Sequence, residues 1–385
     1  MSGNRAVIVG AGAAGLSVAL SLVDRGIHPL ILDRAGNVAS SWRGRYDRLR
    51  LNTSRPFSHL PGRRFAKGTP MFPTRDQMVE YLERHSQNPG ITLRLGTGAD
   101  RIERDSTGWL IRTPTGETIE TEQVVVATGY ENKAVIPGWP GREDFAGTIL
   151  HSSDYRNPAA FQDKAVLVVG PGCSGMEIAY DLATGGAAKV WLAVRNPPNI
   201  LLRTSPGPVP SDIVGVALLK FPTKFADTVT RYGQRSDFGD LSEYGLPFPA
   251  EGIFARVART GGEPTIVDRD VIEAIKARRF EVVGAVQSFD GPAVHLERGA
   301  LVEPDAVICA TGYRRNLEPL VGHLGVLDER GIPKIRGEKA AVEGLRFVGF
   351  VPRPGALGYI AHEAKHAAKA IARELQKAEV PFRHG

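Results

Sequence analysis

Residues 5–15 read Arg-Ala-Val-Ile-Val-Gly-Ala-Gly-Ala-Ala-Gly, and this stretch decides the fold. An apolar strand leads into a G-x-G-x-x-G turn, and an apolar helix follows without a break. In such a turn Gly10 makes the tight bend, Gly12 lets the backbone approach a pyrophosphate, and Gly15 allows close packing of helix on strand. The helix N-terminus adds N–H donors and partial positive charge for the phosphates. The stretch therefore predicts a dinucleotide site.

The strand that follows this helix ends on an acid. Residues 28–32 are apolar and lead to Asp33, which stands about twenty residues beyond the glycine turn, as the nucleotide-binding pattern requires. A carboxylate at this point accepts hydrogen bonds from the ribose hydroxyls of the nucleotide. The alternative is an ordinary helix-capping or surface acid.

A second copy of the same pattern lies in the middle of the chain. Residues 164–175 form another apolar strand and glycine turn, with Gly170, Gly172 and Gly175 at the corresponding positions, and a helix follows. Two such units are far more specific than one, because chance would have to place strand, turn and helix correctly twice. The chain is therefore expected to bind two nucleotides.

The second unit differs from the first at the end of its second strand. Here Arg195 stands in place of an acid. A carboxylate suits a free ribose 2′-hydroxyl, whereas a guanidinium suits a 2′-phosphate through paired, charge-assisted hydrogen bonds. The first site is therefore predicted to take FAD or NAD and the second NADPH. The alternative for Arg195 is a solvated charge at a strand end.

The composition is that of a globular protein with room for two domains: 385 residues, 42% hydrophobic and 23% charged. The net charge of +6 suits an anionic partner such as a phosphorylated dinucleotide, but the scattered arginines do not indicate nucleic acid. The cysteines, Cys173 and Cys309, lack a C-x-x-C spacing, which argues against a disulfide framework, a zinc site or a dithiol centre. With no signal peptide and no membrane-spanning run, a reduced, cytoplasmic setting is expected.

Other stretches complete the organisation. Short alternating segments over 92–126 predict an antiparallel appendage, and each unit closes on Ala-Thr-Gly-Tyr, at 127–130 and at 310–313. Residues 201–259 predict an insertion near the active site, either a lid or a plain surface excursion. A long amphipathic helix over 360–378 comes last.

The connector between the two glycine turns carries the most specific motif. Residues 145–155 match F-x-G-x-x-x-H-x-x-x-(Y/F) in full, through Phe145, Gly147, His151 and Tyr155. With this connector the chain resembles the flavin-containing monooxygenases over nearly its whole length. The plant YUCCA branch of that family, which converts indole-3-pyruvate to indole-3-acetate, and its bacterial relatives are especially similar. The stretches that carry this similarity are residues 46–51, 72–74, 81–83 and 174–177.

The resemblance implies an α/β fold of two Rossmann-like dinucleotide-binding domains, the second inserted into the first. The FAD-binding domain would comprise residues 1–158 and 314–385. The NADPH-binding domain would span 159–313 and include the lid-like insertion at about 201–259.

The resemblance also implies which residues serve each cofactor, and it implies no metal. Residues that hold the adenosine and pyrophosphate of FAD would be Gly10, Gly12, Gly15 and Asp33. Residues near the ribityl chain and the isoalloxazine would be Trp42, Arg43, Asn52 and Gln77. Residues that hold NADPH would be Gly170, Gly172, Gly175 and Arg195. His151 and Tyr155 would brace the connector and the NADPH side, with packed hinge residues as the alternative. Simpler alternatives are packing for Trp42 and a solvated charge for Arg43.

The chemistry of such a family resides in the cofactor. NADPH reduces FAD, the reduced flavin takes up O2, and a C4a-(hydro)peroxyflavin transfers one oxygen atom to a small organic substrate. Asn52 is the candidate catalytic side chain that steers this intermediate, although the plant branch carries another residue there. N- or S-oxygenation and attack on a ketone or 2-oxo acid, by Baeyer–Villiger reaction or oxidative decarboxylation, both stay open.

Two other functions compete with this one. The first is an NADPH-dependent flavoprotein reductase that passes electrons to a protein or a quinone, and the connector motif and the missing dithiol disfavour it. The second is a non-catalytic flavin-binding module. The expected partners are a small-molecule substrate and O2, with neither nucleic acid nor membrane, and a homodimer is one candidate assembly.

Overall fold

The computed structural model describes residues 4–106, 108–262, 264–350 and 356–379. The chain begins with the predicted βαβ unit, and an antiparallel extension follows it. The elements of this first part are β1 (Asn4–Val9), α1 (Ala13–Val23), β2 (Leu30–Leu32), α2 (Ser40–Arg43), α3 (Arg75–Ser86), β3 (Thr92–Arg94), β4 (Arg101–Arg104), β5 (Trp109–Arg112) and β6 (Thr118–Val126).

The first large sheet has the order β3-β2-β1-β6-β5-β4. β1 pairs in parallel with β2 and β6, and its Val and Ile side chains are buried, as expected for a strand covered on both faces. β5 pairs antiparallel with β4 and β6, so the predicted antiparallel appendage is present. β3 also lies within residues 92–126, but it pairs in parallel with β2, so the prediction is wrong for this strand.

The middle of the chain builds the second unit around its own glycine turn. Its elements are β7 (Lys133–Ala134), β8 (Thr148–His151), β9 (Ala165–Val169), α4 (Cys173–Thr184), β10 (Lys189–Ala193), β11 (Ile200–Leu202), α5 (Ser211–Leu218), α6 (Thr223–Phe238), α7 (Ile253–Thr260), β12 (Thr265–Val267), α8 (Arg269–Lys276), β13 (Glu281–Val283), β14 (Val286–Asp290), β15 (Ala293–Leu296), β16 (Leu301–Val302) and β17 (Ala306–Cys309).

The second large sheet is parallel throughout, with the order β13-β10-β9-β17-β8. β8 lies before residue 158, where the first domain was expected to end. This strand pairs with β17 from Thr148 to His151, so the connector motif already belongs to the second sheet. The second sheet therefore takes in residues that the sequence reading placed in the first domain.

The segment 201–259 is largely helical. α5, α6 and α7 lie within it, and the short parallel pair β11–β12 joins it to the second unit. Several large apolar side chains of this segment are exposed, including Phe221, Phe225 and Tyr232. Its buried side chains Phe238, Leu241 and Leu246 lie in one cluster with side chains of β9 and α4, so the segment packs on the second unit.

The chain then returns to the first unit. The remaining elements are β18 (Tyr313–Arg314), α9 (Glu318–Val321), β19 (Leu345–Phe347) and α10 (Ala356–Glu379). β18 pairs antiparallel with β7 where the two units meet, and β19 pairs in parallel with β6. The predicted α/β fold, with a second Rossmann-like unit inserted into the first, is confirmed.

The last helix closes the core of the first unit. Its buried stripe contains Ala364, Ala367, Ala368 and Ile371, and this stripe packs in one cluster with the side chains of α1. Small side chains let the two helices approach closely, and the burial of each large apolar side chain stabilises the fold by about 1.5–3 kcal/mol. Among the described residues, no helix combines the length and hydropathy needed to cross a bilayer.

Candidate active site

The first glycine turn has the shape that a dinucleotide needs. Gly10 has a φ of +116°, and a Cβ there would lie 2.5 Å from the Ala127 carbonyl oxygen. A Cβ on Gly15 would lie 1.8 Å from the Gly10 carbonyl oxygen, whereas a Cβ on Gly12 would meet no atom within 4 Å. Gly10 and Gly15 are therefore required by the fold itself, and Gly12 leaves open space at the N-terminus of α1.

The second glycine turn repeats this geometry position by position. Gly170 has a φ of +111°, and its Cβ would lie 2.5 Å from the Ala310 carbonyl oxygen. A Cβ on Gly175 would lie 1.8 Å from the Gly170 carbonyl oxygen, and a Cβ on Gly172 would meet no atom within 4 Å. Each turn therefore offers one open glycine to a pyrophosphate.

The Ala-Thr-Gly-Tyr repeat has a physical explanation in this geometry. The alanine of each repeat, Ala127 or Ala310, places its carbonyl oxygen against the first glycine of the adjacent turn. The strand that closes each unit thus packs directly on the turn that opens it. This close approach tolerates no side chain at Gly10 or Gly170.

Asp33 lies beside the first turn, at the end of β2. Its Oδ2 accepts a hydrogen bond from the Ala11 N–H at 2.7 Å, and its Oδ1 accepts one from the Ala35 N–H at 2.8 Å. Each carboxylate oxygen still has a second acceptor site for a ribose hydroxyl. Asp33 therefore holds the turn in place through its side chain. It can also accept a hydrogen bond from a nucleotide ribose, so a structural role and a binding role are both compatible with its position.

Three residues expected near the flavin have structural partners. Trp42 is half-buried and packs against the core of the first unit. Arg43 forms an ion pair with Glu83 on the surface. Gln77 closes a capping box at the start of α3: its Oε1 accepts from the Thr74 N–H at 3.0 Å, and its own N–H donates to Thr74 Oγ1 at 3.3 Å. Their contacts with a flavin stay predictions.

Arg195 lies at the edge of the second sheet that faces the glycine turn. β9 and β10 are parallel with Val169 opposite Ala193, so Gly170 and Arg195 both follow the carboxyl ends of neighbouring strands. The Arg195 side chain is exposed. It is therefore available to an anionic group bound beside Gly172.

A polar cluster joins the two units, with Tyr46, Glu177 and Arg203 buried and Asn52 half-buried. Arg203 Nη2 donates to Glu177 Oε1 at 2.6 Å and to Asn52 Oδ1 at 3.2 Å, and the Tyr46 hydroxyl donates to Glu177 Oε2 at 2.7 Å. Tyr46 and Asn52 belong to the first unit, whereas Glu177 and Arg203 belong to the second. The candidate catalytic residue is therefore linked directly to the second unit.

The charges of this cluster are fixed by its surroundings. Burial, with the neighbouring Glu177 carboxylate, raises the pKa of Tyr46 well above its ordinary value, so the phenol stays a neutral donor. Burial by itself lowers the pKa of Arg203, but the charges of Glu177 and Asp268 outweigh it and raise that pKa. Arg203 is accordingly a permanent cation next to Asn52.

A second buried contact ties the helical segment to the same loop. Asp212 Oδ2, at the start of α5, accepts a hydrogen bond from the Ser54 N–H at 2.7 Å. Burial raises the pKa of Asp212 despite this hydrogen bond. The segment 201–259 therefore contacts the chain two residues from Asn52. That this point lies near the active site stays a prediction.

The connector residues have bracing contacts. The Ser153 N–H donates to His151 Nδ1 at 3.1 Å, so Nδ1 is an acceptor and Nε2–H donates to the Gly312 carbonyl oxygen at 3.1 Å. Burial lowers the pKa of His151, which favours the neutral ring over the cation. The Tyr155 hydroxyl donates to Asp181 Oδ2 on α4 at 2.7 Å. These contacts suit structural roles.

Sequence reasoning missed the residues that join the units: Glu177, Arg203 and Asp212. One signal was available, because Glu177 interrupts an otherwise apolar run between Met176 and Ile178. A charge at such a position indicates a buried partner. Arg203 and Asp212 stand in an irregular stretch whose pattern gives no comparable signal.

Comparisons with known proteins decide the family. Residues 7–202 match the family model described as pyridine nucleotide-disulphide oxidoreductase. The indole-3-pyruvate monooxygenase YUCCA1 of Oryza sativa subsp. japonica is 35% identical over 377 residues, which cover 95% of this chain and 91% of that protein. The chain belongs to the flavin-containing monooxygenases. It is a flavin-dependent monooxygenase, and the alternative of an electron-passing reductase is not favoured.

Solved structures agree with this monooxygenase in fold. The flavin-containing monooxygenase from Stenotrophomonas maltophilia has a TM-score of 0.73 at 21% identity and covers 97% of this chain and 100% of its own. The structure of OTEMO in complex with FAD and NADP has a TM-score of 0.73 at 14% identity and covers 97% of this chain and 85% of its own. At these identities the likeness concerns the fold.

The monooxygenase has the features that its cofactors require. Members of the family use FAD and NADPH. The open space at Gly12 and at Gly172, each at the start of a helix, fits the pyrophosphates of two dinucleotides. Cys173 and Cys309 form no disulfide with each other.

Proposed function

We propose that this monooxygenase attacks the carbonyl carbon of a 2-oxo acid of the indole-3-pyruvate type. The observation that carries the proposal is the extent of the likeness to indole-3-pyruvate monooxygenases, at 35% identity over 95% of the chain. The reaction would consume the 2-oxo acid, O2, NADPH and a proton. It would release the acid shortened by one carbon, CO2, NADP+ and water.

In this proposal the two glycine turns divide the cofactors between them. Gly12 and Asp33 hold the pyrophosphate and ribose of FAD, and Gly172 and Arg195 hold the pyrophosphate and 2′-phosphate of NADPH. Bound FAD supplies the oxygen-transfer chemistry, which no side chain performs.

The first unit would also supply the surroundings of the flavin. Trp42, Arg43 and Gln77 line its ribityl side in this proposal. Asn52 lies beside the isoalloxazine, and its amide directs hydrogen bonds at the reacting groups. The support is the position of Asn52 in the polar cluster that bridges the two units. Since the segment 201–259 contacts the same loop through Asp212, it acts as the cover that keeps water out.

A second candidate reaction, N- or S-oxygenation, has one observation in its favour. Asn52 matches the asparagine that other members of the family, outside the plant branch, carry beside the flavin. A neutral amide in that place is compatible with attack on a soft nitrogen or sulfur centre. The two reactions differ in their products and can be separated by one assay.

The test is a product assay with FAD-loaded protein. Indole-3-pyruvate, a thioether and a tertiary amine are supplied in parallel with NADPH and air. We expect indole-3-acetate in an amount that follows NADPH oxidation, with little sulfoxide or N-oxide. Sulfoxide or N-oxide without the indole acid would favour the second candidate, and peroxide alone in all arms would contradict both.

The proposal also covers the domain bounds, the cellular compartment and the assembly of the protein. The FAD domain comprises about 1–158 and 314–385, and the NADPH domain about 159–313, with the qualification that β8 pairs in the second sheet. We place the protein in the cytoplasm because its cysteines form no disulfide with each other. A homodimer acting on a small molecule and O2, without nucleic acid or membrane, completes the proposal.

A further inference from the structure

The orientation of the Asn52 side chain is set from the second unit. Arg203 Nη2 lies 3.2 Å from Asn52 Oδ1. Because a guanidinium only donates hydrogen bonds, this contact turns the amide oxygen toward Arg203 and the Nδ2–H2 group away from it. We propose that Arg203 is a positioning residue that keeps the Asn52 amide as a hydrogen-bond donor toward the flavin. This inference rests on the proposed function, which places Asn52 beside the flavin.

Two orientations of an amide have nearly the same shape. Oxygen and nitrogen exchange places when the group rotates by half a turn, so hydrogen bonding alone decides between them. With the oxygen toward the flavin, Asn52 would present an acceptor to an oxygen-rich site and repel it. To keep its nitrogen toward the flavin, the amide needs a partner on its other side that can only donate hydrogen bonds. A buried guanidinium is such a partner.

Arg203 is itself held from several sides. Glu177 Oε1 accepts from its Nη2 at 2.6 Å, and Asp268 Oδ2 accepts from its Nη1 at 3.3 Å. The ring of Phe72 lies 5.7 Å from its Cζ, and its exposed fraction is 4%. A planar group with these partners has little freedom to release the amide.

The same contacts make the orientation depend on both units. Asn52 and Tyr46 come from the first unit, Glu177 comes from α4 beside the second glycine turn, and Arg203 follows β11. Tyr46 holds the Glu177 carboxylate, and that carboxylate holds Arg203. The donor toward the flavin is therefore in place only when the two units are docked as in this structure.

Arg203→Lys is the variant that tests the role. Lysine keeps a positive charge beside Glu177, so the buried carboxylate retains a partner. Its single nitrogen replaces both Nη1, which contacts Asp268, and Nη2, which contacts Glu177 and Asn52, so we expect the contact with Asn52 to be lost. The variant is assayed with FAD, NADPH, air and indole-3-pyruvate. We expect the amount of hydrogen peroxide released per molecule of oxygenated product to rise about tenfold, the effect of one lost transition-state contact. Asn52→Ala should show a similar rise, and the double variant should be no worse than Asn52→Ala, since both act on one group.

A second readout does not depend on turnover. Nuclear magnetic resonance of FAD-loaded protein with isotope-labelled asparagine reports the order of each side-chain amide. The Asn52 signal is assigned by its loss in Asn52→Ala. We expect this amide to be rigid in the parent and mobile in Arg203→Lys.

Arg346→Lys is the matched control. Arg346 is also buried, donates to Gln123 Oε1 at 2.9 Å and pairs with Glu374, but it lies on β19 and takes no part in the polar cluster. This variant should lose stability without a change in the peroxide ratio or in the Asn52 signal.

The outcomes separate the inference from the proposed function. If Asn52→Ala raises peroxide release while Arg203→Lys leaves it unchanged, or if the Asn52 amide stays rigid in Arg203→Lys, the positioning role is overturned and the proposed function stands. If Asn52→Ala itself leaves the ratio unchanged, Asn52 does not act at the flavin, and both the placement and the inference are overturned.

Discussion

The hydroxyl of Tyr46 lies 2.7 Å from Oε2 of Glu177, and both side chains are buried. Tyr46 belongs to the first nucleotide-binding unit, and Glu177 belongs to the helix that begins at the second glycine turn. This hydrogen bond links the first unit to the second, together with those from Arg203 to Asn52 and from Ser54 to Asp212.

Tyr46→Phe tests the junction. The substitution keeps the ring but leaves one oxygen of a buried carboxylate without its donor, and we expect the free energy of unfolding to fall by about 1–3 kcal/mol. Urea unfolding measures the change. Tyr232→Phe, at a side chain that is 78% exposed, serves as the control and should change the free energy by less than about 0.5 kcal/mol. Equal effects of the two substitutions would show that the junction contributes nothing.

The paired glycine turns give a prediction with a built-in control. An added Cβ at Gly172 meets no protein atom within 4 Å, so Gly172→Ala should fold normally and weaken only NADPH, by occupying space that the pyrophosphate needs. Gly12→Ala should weaken only FAD for the same reason. Retained flavin absorbance and NADPH titration measure the two effects. Loss of both cofactors in either variant would contradict the division of sites.

Gly175→Ala is expected to behave differently from Gly172→Ala. Its Cβ would lie 1.8 Å from the Gly170 carbonyl oxygen, a distance at which the helix must move off the strand. We expect a loss of stability of about 1–3 kcal/mol, as for overpacking elsewhere. A melting temperature like that of the parent would show that the turn is looser than described.

Arg195→Ala tests the assignment of the 2′-phosphate. Hydrogen bonds to charged groups contribute about 1.5–3 kcal/mol, so the affinity for NADPH should fall by roughly tenfold to a hundredfold while the affinity for NADH changes little. Titration of both nucleotides measures this. Arg279→Ala, at another exposed arginine of the second unit, is the control. Equal losses for NADPH and NADH would remove the assignment.

The buried His151 predicts a dependence of stability on pH. Burial lowers its pKa below the ordinary 6.5 in the folded protein. The unfolded chain therefore binds more protons between the folded pKa and 6.5, so stability is lost as pH falls below about 6.5 and regained as pH rises. His151→Asn should flatten this part of the profile. His85, whose pKa burial also lowers, remains in both proteins, so some slope persists. An unchanged slope would contradict the neutral role of His151.

The sequence predicts those parts of the candidate site that lie within a single strand–turn–helix unit. The glycine turns, Asp33 and Arg195 follow from the order of strand, turn and helix, which the sequence displays within a few residues. The structure places each of them at the carboxyl edge of its sheet. Their contacts with cofactors stay predictions.

The polar cluster could not be predicted in this way. Arg203 reaches Asn52 across 151 positions of sequence and Glu177 across 26 positions, and such pairings have no local pattern. Gln77 also has a local role that the sequence displays, because Thr74-x-x-Gln77 is the spacing of a capping box. Its contact with the flavin stays a prediction.

The central claim is that this chain holds two different nucleotides so that a hydride passes from one to the other. The most direct measurement is anaerobic mixing of FAD-loaded protein with NADPH, followed by the visible absorbance of the flavin. The account predicts that one equivalent of NADPH bleaches the oxidised flavin, faster than NADH does at equal concentration. Flavin that stays oxidised with NADPH, or protein that retains no flavin after loading, would contradict the account.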